Sequence, residues 1–331
     1  MRTENRKRTI CTKRAGRKLA AGAAALSLLL SMSVYAQETE DAAAQGGVSV
    51  VDMTGREITL DAPAERIVAL NPADCEILYA LGEGDRLVGR GEYCDYPEEV
   101  ADVPAVQSGA ETNLEQIIEL EPDVLLMSTM AQTTEQVEQL EDAGIAVVVS
   151  DAQDIEGVYE SIGIISQLLG AEDKAQEVTD QMKAVFEEVS AQAEGAEGKS
   201  VYFEVSPLEY GLWSAGAHTF MDEIAGMIGL TNCFADVEGW GEISEEEVLE
   251  RNPDYIVTIT MYFGEGPTPE EEIASRPGWD QVNAVKNGKI LNLQNNELSR
   301  PSPRLADGAK ALYEFVYGDV DAQETEEDLA A

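Results

Sequence analysis

Residues 113–126 read NLEQIIELEPDVLL and residues 244–257 read SEEEVLERNPDYIV, a repeat at a constant offset of 131 residues. Each copy begins with a residue type that caps helices, and Gln116 or Glu247 three positions later predicts a capping box. Proline then ends a short helix, and the apolar run after it predicts a buried strand. The repeat therefore indicates two halves that fold alike.

An upstream echo extends the duplication. CEILYALG at 75–82 and DEIAGMIG at 222–229 precede the two copies, so both halves have the order helix, loop, capped helix, strand. Strands that alternate with helices are typical of parallel βαβ units. The sequence therefore predicts an α/β fold with two Rossmann-like lobes, each around a central, mostly parallel sheet, and a ligand cleft between the lobes.

The domain boundaries follow from changes in composition along the chain. We place the N-terminal lobe at 48–170 and the C-terminal lobe at 199–318. The flanking segments 37–47 and 319–331 are polar or acidic, which predicts a disordered linker and a disordered tail. Between the lobes, 171–195 contains no proline and repeats apolar residues at helical spacing, which predicts one long helix that joins them.

The first 36 residues predict an export signal. A region with eight Lys/Arg residues precedes a small, apolar stretch, and Val34, Tyr35 and Ala36 fit a small-x-small cleavage site. The apolar stretch is short for a membrane span. We therefore expect a chain that is secreted across the cytoplasmic membrane and resides in the periplasm or at the extracellular cell surface.

The charge of the chain bears on its partners. The whole sequence has a net charge of −42. Residues 1–36 hold eight basic residues and one acid, so the remainder holds 14 basic and 63 acidic residues, a net charge of −49. Such a chain repels nucleic acid and anionic membranes, so we expect no nucleic-acid partner. A partner with a basic docking surface remains compatible with this charge.

The scarcity of histidine argues against catalysis and against a bare metal site. His218 is the only histidine, and the sequence contains none of the common hydrolase, zinc or phosphate-binding motifs. Transition-metal sites usually collect several His and carboxylate ligands. We therefore expect no metal site, no resident cofactor and no enzyme activity. His218 is expected in a loop or at a helix start, and the alternative is an axial ligand to a metal inside a bound macrocycle.

Three cysteines follow the export signal. In an oxidising compartment Cys75 and Cys94 can form a disulfide that fixes the loop around Cys94, which leaves Cys233 unpaired. The alternative is that Cys75 and Cys94 are free and buried.

Aromatic residues cluster in predicted loops at strand ends. Loops at the carboxyl ends of parallel strands are where α/β lobes bind ligands, and an apolar, aromatic cleft suits a large, flat, partly hydrophobic molecule. Arg300 is a rare cation in this half and is suited either to an anionic or amide edge of the ligand or to a neighbouring carboxylate. The aromatic residues concerned are Tyr93, Tyr96, Tyr210, Trp213, Trp240, Tyr262 and Phe263.

Two carboxylates occupy matching positions in the repeat. Glu115 and Glu246 each lie in the first turn of a capped helix, one in each lobe. An acid at that position interacts favourably with the helix dipole. Two matched carboxylates can also each accept a basic side chain of a partner.

The chain resembles the class III periplasmic binding proteins of ABC importers, which capture vitamin B12, ferric siderophores and haem. The resemblance covers roughly residues 48–318 and is carried by RIVALNPADCEILYALGEGDRLVGRGEYCDYPEEV, NLEQIIELEPDVLLM and SRPSPR. It implies two α/β lobes joined by a single long, rigid helix. It also implies a binding protein with an ABC permease as its partner.

The resemblance assigns roles to particular residues. It implies that Glu115 and Glu246 engage arginines of the permease. The ligand contacts that it implies are Tyr93, Trp213, Trp240 and Arg300. We therefore expect a monomer that binds a corrinoid between its lobes, with a ferric siderophore or haem as the alternative ligand and an enzyme acting on a metal chelate as the less favoured alternative function.

Overall fold

The computed structural model describes residues 47–109, 112–129, 133–193, 198–294 and 296–318. The predicted export signal, the linker up to residue 46 and the acidic tail at 319–331 lie outside these residues. The described residues from Val48 onward belong to one compact unit. None of the described helices combines the length and the apolar character that a membrane crossing needs.

The first lobe begins with an antiparallel hairpin, β1 (Val48–Val51) and β2 (Glu57–Leu60). Its described central sheet is entirely parallel, in the order β5-β4-β3-β6-β7. The strands of this sheet are β3 (Ile67–Ala69), β4 (Leu87–Gly91), β5 (Ala105–Val106), β6 (Val124–Met127) and β7 (Ala146–Val149). The helices of this lobe are α1 (Pro72–Ala80), α2 (Leu114–Glu119), α3 (Thr134–Asp142) and α4 (Ile155–Leu169).

The second lobe has a mixed sheet with a parallel centre. Its described strands follow the order β11-β9-β8-β12-β13, with β10 paired to β8, and only the pairings of β9 are antiparallel. The strands are β8 (Ser200–Ser206), β9 (Trp213–Ala215), β10 (Thr231–Asn232), β11 (Trp240–Glu242), β12 (Tyr255–Thr258) and β13 (Ile290–Asn292). The helices are α6 (Phe220–Met227), α7 (Glu245–Arg251), α8 (Pro269–Ser275), α9 (Asn283–Lys286) and α10 (Leu305–Tyr317). The structure thus has the predicted mostly parallel α/β fold.

The long helix α5 (Glu172–Gln192) lies between the two lobes, close to the predicted 171–195. It packs against α4 of the first lobe and against α6 and α10 of the second. One continuous apolar cluster includes Ile165 of α4, Phe186 of α5 and Leu312 of α10. Because protein interiors are close-packed, this shared core opposes movement of one lobe against the other.

The sequence repeat corresponds to a structural repeat. Helix α2 and strand β6 match α7 and β12 at the same offset of 131 residues. Asn113 and Ser244 are N-caps as predicted, and the second copy has the full capping box. In the first copy the box is incomplete, because the Gln116 side chain accepts a hydrogen bond from the Gln107 amide instead of the Asn113 amide.

The aspartate of each repeat joins neighbouring strands. Asp123 accepts hydrogen bonds from the backbone amides of Glu65 and Arg66, just before β3. Asp254 does the same for the amide of Ser200 at the start of β8. The Pro-Asp pair therefore ends a helix and then sets the register of the next strand.

A buried carboxyl group lies where α1 packs against the end of β7. Asp74 is fully buried, its Oδ1 accepts a hydrogen bond from the Ser150 hydroxyl, and its Oδ2 has no hydrogen-bond partner among the described residues. Burial raises the pKa of Asp74 to about 7 although the Ser150 hydrogen bond lowers it, and the nearby charge of Asp151 adds to the rise.

We expect Asp74→Asn to remove part of the pH dependence of stability. The ordinary pKa is 3.8, so between about pH 4 and 7 the folded state binds more protons at Asp74 than the unfolded state does. Stability from this group is therefore full at low pH and falls as the pH rises, by about 2–3 kcal/mol between pH 5 and 8. Urea unfolding at both pH values measures the fall, which should be smaller by that amount in Asp74→Asn.

The exposed Asp173 on α5 provides the control. Asp173→Asn should leave the pH dependence of the free energy of unfolding as it is in the wild-type protein. If Asp74→Asn also leaves it unchanged, the Asp74 carboxyl group does not titrate near neutral pH.

Candidate functional site

Segments that follow the carboxyl ends of the two sheets contact each other, and the space between these two sheet edges is called the cleft below. The loop after β13 carries Arg300, which contacts Glu76 of α1, the helix that follows β3. The segment after β7 carries Gln153, whose carbonyl oxygen accepts a hydrogen bond from the Phe220 amide of the second lobe, 2.9 Å away. Because both contacts join loops that follow parallel strands, the ends of the two sheets at which α/β proteins bind ligands lie opposite one another.

Tyr93 lies at the first-lobe side of this cleft. Its side chain is 64% exposed, and it lines a cavity of about 140 Å³ together with Asn71, Ser108 and Ser128, all of which follow strands of the first sheet. The loop that carries Tyr93 begins at Gly91, where an added Cβ would lie 2.3 Å from the Leu70 carbonyl oxygen. Only glycine allows this approach, which brings Tyr93 over the cavity.

The second lobe presents three exposed aromatic side chains beyond its strands. Trp213 at the start of β9 is 40% exposed, Tyr210 before it is 76% exposed, and Phe263 after β12 is 81% exposed. Scattered exposed apolar residues are normal, but a group of aromatic rings at one sheet edge is typical of a ligand site. The predicted loop positions of Trp213 and Trp240 are wrong, because the two residues belong to the short strands β9 and β11, which pair with each other.

Trp240 takes part in a contact between the lobes. Its indole N–H donates a 2.7 Å hydrogen bond to Gln153 Oε1 of the first lobe, and its ring lies 5.3 Å from that of Phe220. The structure therefore places Trp240 where the lobes meet. A ligand could contact Trp240 only on the part of its ring that Gln153 and Phe220 leave uncovered.

Arg300 is held by carboxylates of the first lobe. Its Nη1 donates to Glu76 Oε1 at 2.9 Å and to Asp95 Oδ1 at 2.6 Å, and only 5% of its side chain is exposed. Burial lowers the pKa of Arg300, but these two hydrogen bonds outweigh it and raise the pKa, so the guanidinium stays charged. This is the carboxylate pairing that the sequence left open. The Nε atom is buried without a hydrogen-bond partner among the described residues.

A larger groove of about 760 Å³ is lined mostly by the first lobe, together with Pro303 and Arg304 of the second lobe. It is lined by Tyr79 and Glu99 and reaches Leu87 at the amino end of β4, away from the strand ends that face the cleft. Tyr96, an expected cleft aromatic, lines this groove and lies beneath the Arg304 guanidinium, 3.8 Å from the ring centroid. The exposed rings of Tyr93, Tyr210, Trp213 and Phe263 are not among the residues that line this groove.

Glu115 and Glu246 are exposed and lie in the first turns of α2 and α7. Each helix precedes a parallel strand of its sheet and therefore runs in the opposite direction to that strand. The N-termini of both helices consequently lie at the carboxyl-end edges. The structure thus gives the two carboxylates equivalent positions on the two lobes.

Cys75 and Cys94 are buried free thiols, and Cys233 is a half-buried free thiol. The disulfide between Cys75 and Cys94 is absent from the structure, which has the second arrangement considered from the sequence. The two thiols are neighbours, since Cys94 is a hydrogen-bonding partner of Cys75 and both lie near the Ala69 carbonyl oxygen. A hydrogen bond with Cys94, together with burial, raises the pKa of Cys75, so this thiol is a poor nucleophile.

His218 is exposed and immediately precedes Thr219, the N-cap of α6. Its position directly before the N-cap agrees with the expected helix start. Its φ is positive, at 61°. Within the described ranges, no group of three or more His, Cys, Asp or Glu side chains is arranged to hold a metal ion.

Sequence reasoning missed two glutamates that cross between the lobes. Glu76 receives hydrogen bonds from Arg300, Ser302 and Arg304 of the second lobe. Glu223 of the second lobe receives one from the Ile155 amide of the first lobe at 2.8 Å. The sequence did contain a signal for these two residues. The similar segments 75–82 and 222–229 align Glu76 with Glu223.

A family model described as periplasmic binding protein matches residues 67–297 of the chain. The ABC transporter substrate-binding lipoprotein YvrC of Bacillus subtilis, described as uncharacterized, is 35% identical over 278 residues, which are 82% of this chain and 86% of the relative.

Two solved structures extend the comparison. A possible iron-binding (periplasmic solute-binding) protein from Staphylococcus epidermidis is 32% identical, with a TM-score of 0.65 and coverage of 77% of this chain and 99% of that protein. The periplasmic vitamin B12-binding protein BtuF of Vibrio cholerae is 25% identical, with a TM-score of 0.63 and coverage of 76% and 96%.

Proposed function

We propose, from the premise that this chain belongs to the periplasmic binding protein family, that it is the solute-binding protein of an ABC importer and binds a corrinoid in the inter-lobe cleft. It acts outside the cytoplasmic membrane as a monomer and hands its ligand to a permease. Proteins of this family are not enzymes. We infer that this chain, too, holds its ligand without transforming it.

One observation supports the proposal: each lobe carries exposed aromatic side chains at the carboxyl-end edge of its sheet. Tyr93 from the first lobe and Trp213, Tyr210 and Phe263 from the second offer rings to a ligand held between them. Aromatic side chains bury large apolar areas with specific geometry, so they suit a broad macrocycle. The likeness to the vitamin B12-binding protein of Vibrio cholerae supports a corrinoid.

The charges near the cleft favour a corrinoid over anionic iron complexes. Haem propionates and many ferric siderophores are negatively charged, and proteins usually pair such groups with arginine. Here Arg300 is paired with Glu76 and Asp95, and Arg304 with Glu76 and Glu297. A corrin ring has an edge of amide groups. These groups are neutral, so they need only hydrogen bonds and are not repelled by the strongly negative chain.

We expect isothermal titration with cyanocobalamin to show saturable binding to one site per chain. Trp213→Ala should weaken that binding at least about tenfold, because the variant loses an exposed aromatic face that the proposed site offers to the ligand. Tyr255→Ala is the matched control. Tyr255 is a half-buried aromatic residue at the amino end of β12, near Lys289 and away from the carboxyl-end edge, so its loss should leave the affinity unchanged.

The outcome separates the candidate ligands. Absence of binding heat with both cyanocobalamin and cobinamide would refute the corrinoid proposal. Titration with haem and with ferric hydroxamate siderophores then tests the alternative ligands of the same class, and visible absorption of the complex identifies which one is bound.

A further inference from the structure

We propose that Glu76 and Glu223 form a two-part inter-lobe lock, related by the internal repeat. The lock sets the width of the ligand cleft and the spacing of Glu115 and Glu246, the two carboxylates expected to dock on the permease. The effect of the lock on ligand binding rests on the proposed function, whereas its contacts between the lobes do not. Its residues are positioning residues, because they act on the ligand through the separation of the lobes.

The first part of the lock is a buried ionic cluster. Glu76 on α1 is 3% exposed, and it receives Arg300 Nη1 at 2.9 Å, Arg304 Nη1 at 3.3 Å and the Ser302 hydroxyl. All three donors belong to the second lobe. Asp95 of the first lobe adds a second contact to Arg300 at 2.6 Å. A buried carboxylate is strongly destabilised when its charged partners withdraw. This contact therefore resists separation of the two lobes.

The second part repeats the device in the opposite direction. Glu223 occupies the position in α6 that Glu76 occupies in the echo, and its Oε2 accepts the Ile155 amide at the start of α4, 2.8 Å away. The hydrogen bonds that Gln153 makes with the Phe220 amide and the Trp240 indole lie beside it. In each lobe, therefore, the same helical glutamate reaches across to the other lobe.

The positions of these contacts connect the lock to the binding surface. Asp95 lies two residues after Tyr93, so Arg300 holds the loop that presents this ring. Trp240 lies on β11, and only Ile243 and Ser244 separate that strand from the helix that carries Glu246. Fixing both contacts thus fixes the distance between the aromatic surfaces and between the docking helices.

The test measures the spacing of the lobes without any ligand. Spin labels at Glu115→Cys and Glu246→Cys, in a Cys233→Ser background, report the distance distribution between the docking positions. The labels do not reach Cys75 and Cys94, which are buried. We expect a narrow distribution in the parent protein and a distribution at least twice as wide when Glu76→Gln and Glu223→Gln are combined.

Two exposed or half-exposed glutamates provide matched controls. Glu297 pairs with Arg304 inside the second lobe, and Glu156 lies in the first turn of α4 beside the second contact without joining it. Glu297→Gln and Glu156→Gln should keep the narrow distribution. If Glu76→Gln fails to fold, Ser302→Ala combined with Arg304→Gln removes two donors to Glu76 and should widen the distribution to a smaller degree.

Ligand titration separates this proposal from the proposed function. The lock variants should raise the dissociation constant for cyanocobalamin at least tenfold, while their circular dichroism stays that of the folded protein. An unchanged distance distribution in the folded lock variants overturns the lock, whatever the ligand. A widened distribution in a protein that binds no corrinoid leaves the lock in place and overturns the proposed ligand.

Discussion

Reversing the charge of Glu115 and Glu246 together, by Glu115→Lys and Glu246→Lys, is expected to abolish uptake of the ligand while leaving its affinity for the binding protein unchanged. Both carboxylates are exposed at equivalent helix starts on the two lobes. The family resemblance implies that these carboxylates pair with arginines of a permease, and lysines at the same positions would repel such arginines. The measurement is corrinoid-dependent growth, or uptake of labelled cyanocobalamin, in the native host that lacks its own copy of the protein.

The same helices offer the controls for this experiment. Glu119 on α2 and Glu250 on α7 are also exposed, but they lie at the opposite ends of their helices. Glu119→Lys with Glu250→Lys changes the net charge equally and should preserve uptake. Uptake that persists in the Glu115 and Glu246 variant, with the variant present at normal amounts, would show that the permease contacts another surface.

Replacing Arg276 by methionine is expected to lower the free energy of unfolding by about 3–5 kcal/mol. Arg276 and Glu204 form a two-pronged ion pair at 2.7 and 2.9 Å, and their side chains are 2% and 1% exposed. Burial lowers the pKa of Arg276, but hydrogen bonds to Glu204 and Glu272 raise it, so the charge persists. Methionine leaves Glu204 buried without a cation and also removes the contact with the Trp279 ring, which lies 4.5 Å away.

Urea or guanidinium unfolding followed by circular dichroism measures this loss. The comparison is Lys174→Met, which removes an ion pair with Glu177 in which both side chains are about half exposed. Exposed pairs contribute little, so that variant should stay within about 1 kcal/mol of the parent. A loss of less than 1 kcal/mol for Arg276→Met would mean that Glu204 is neutral or hydrated in the folded protein.

Local chemistry explains why much of the fold could be predicted from the sequence. N-cap residues, helix-ending prolines and apolar runs act within a few residues, so the repeat located α2, α7, β6 and β12 with the correct offset. The strands β9 and β11 were missed because each has only three residues and contains glycine or serine. Such strands form through pairing with neighbours and have little pattern of their own.

The site was harder to predict because its polar contacts depend on distant residues. Arg300 and Glu76 are 224 positions apart, and nothing near SRPSPR indicates which carboxylate will approach. The sequence alone therefore left two partners possible for Arg300, the ligand or a carboxylate. The positions of Tyr93 and Tyr210 could be predicted better, since each is an exposed residue shortly after a strand and depends on no distant partner.

The apolar cluster that runs from α4 through α5 to α10 has a consequence for a lobe expressed alone. Such a fragment would leave its part of the cluster exposed to water, so it should aggregate or associate with the other fragment. Because α5 joins the lobes covalently in the intact chain, their association does not depend on protein concentration.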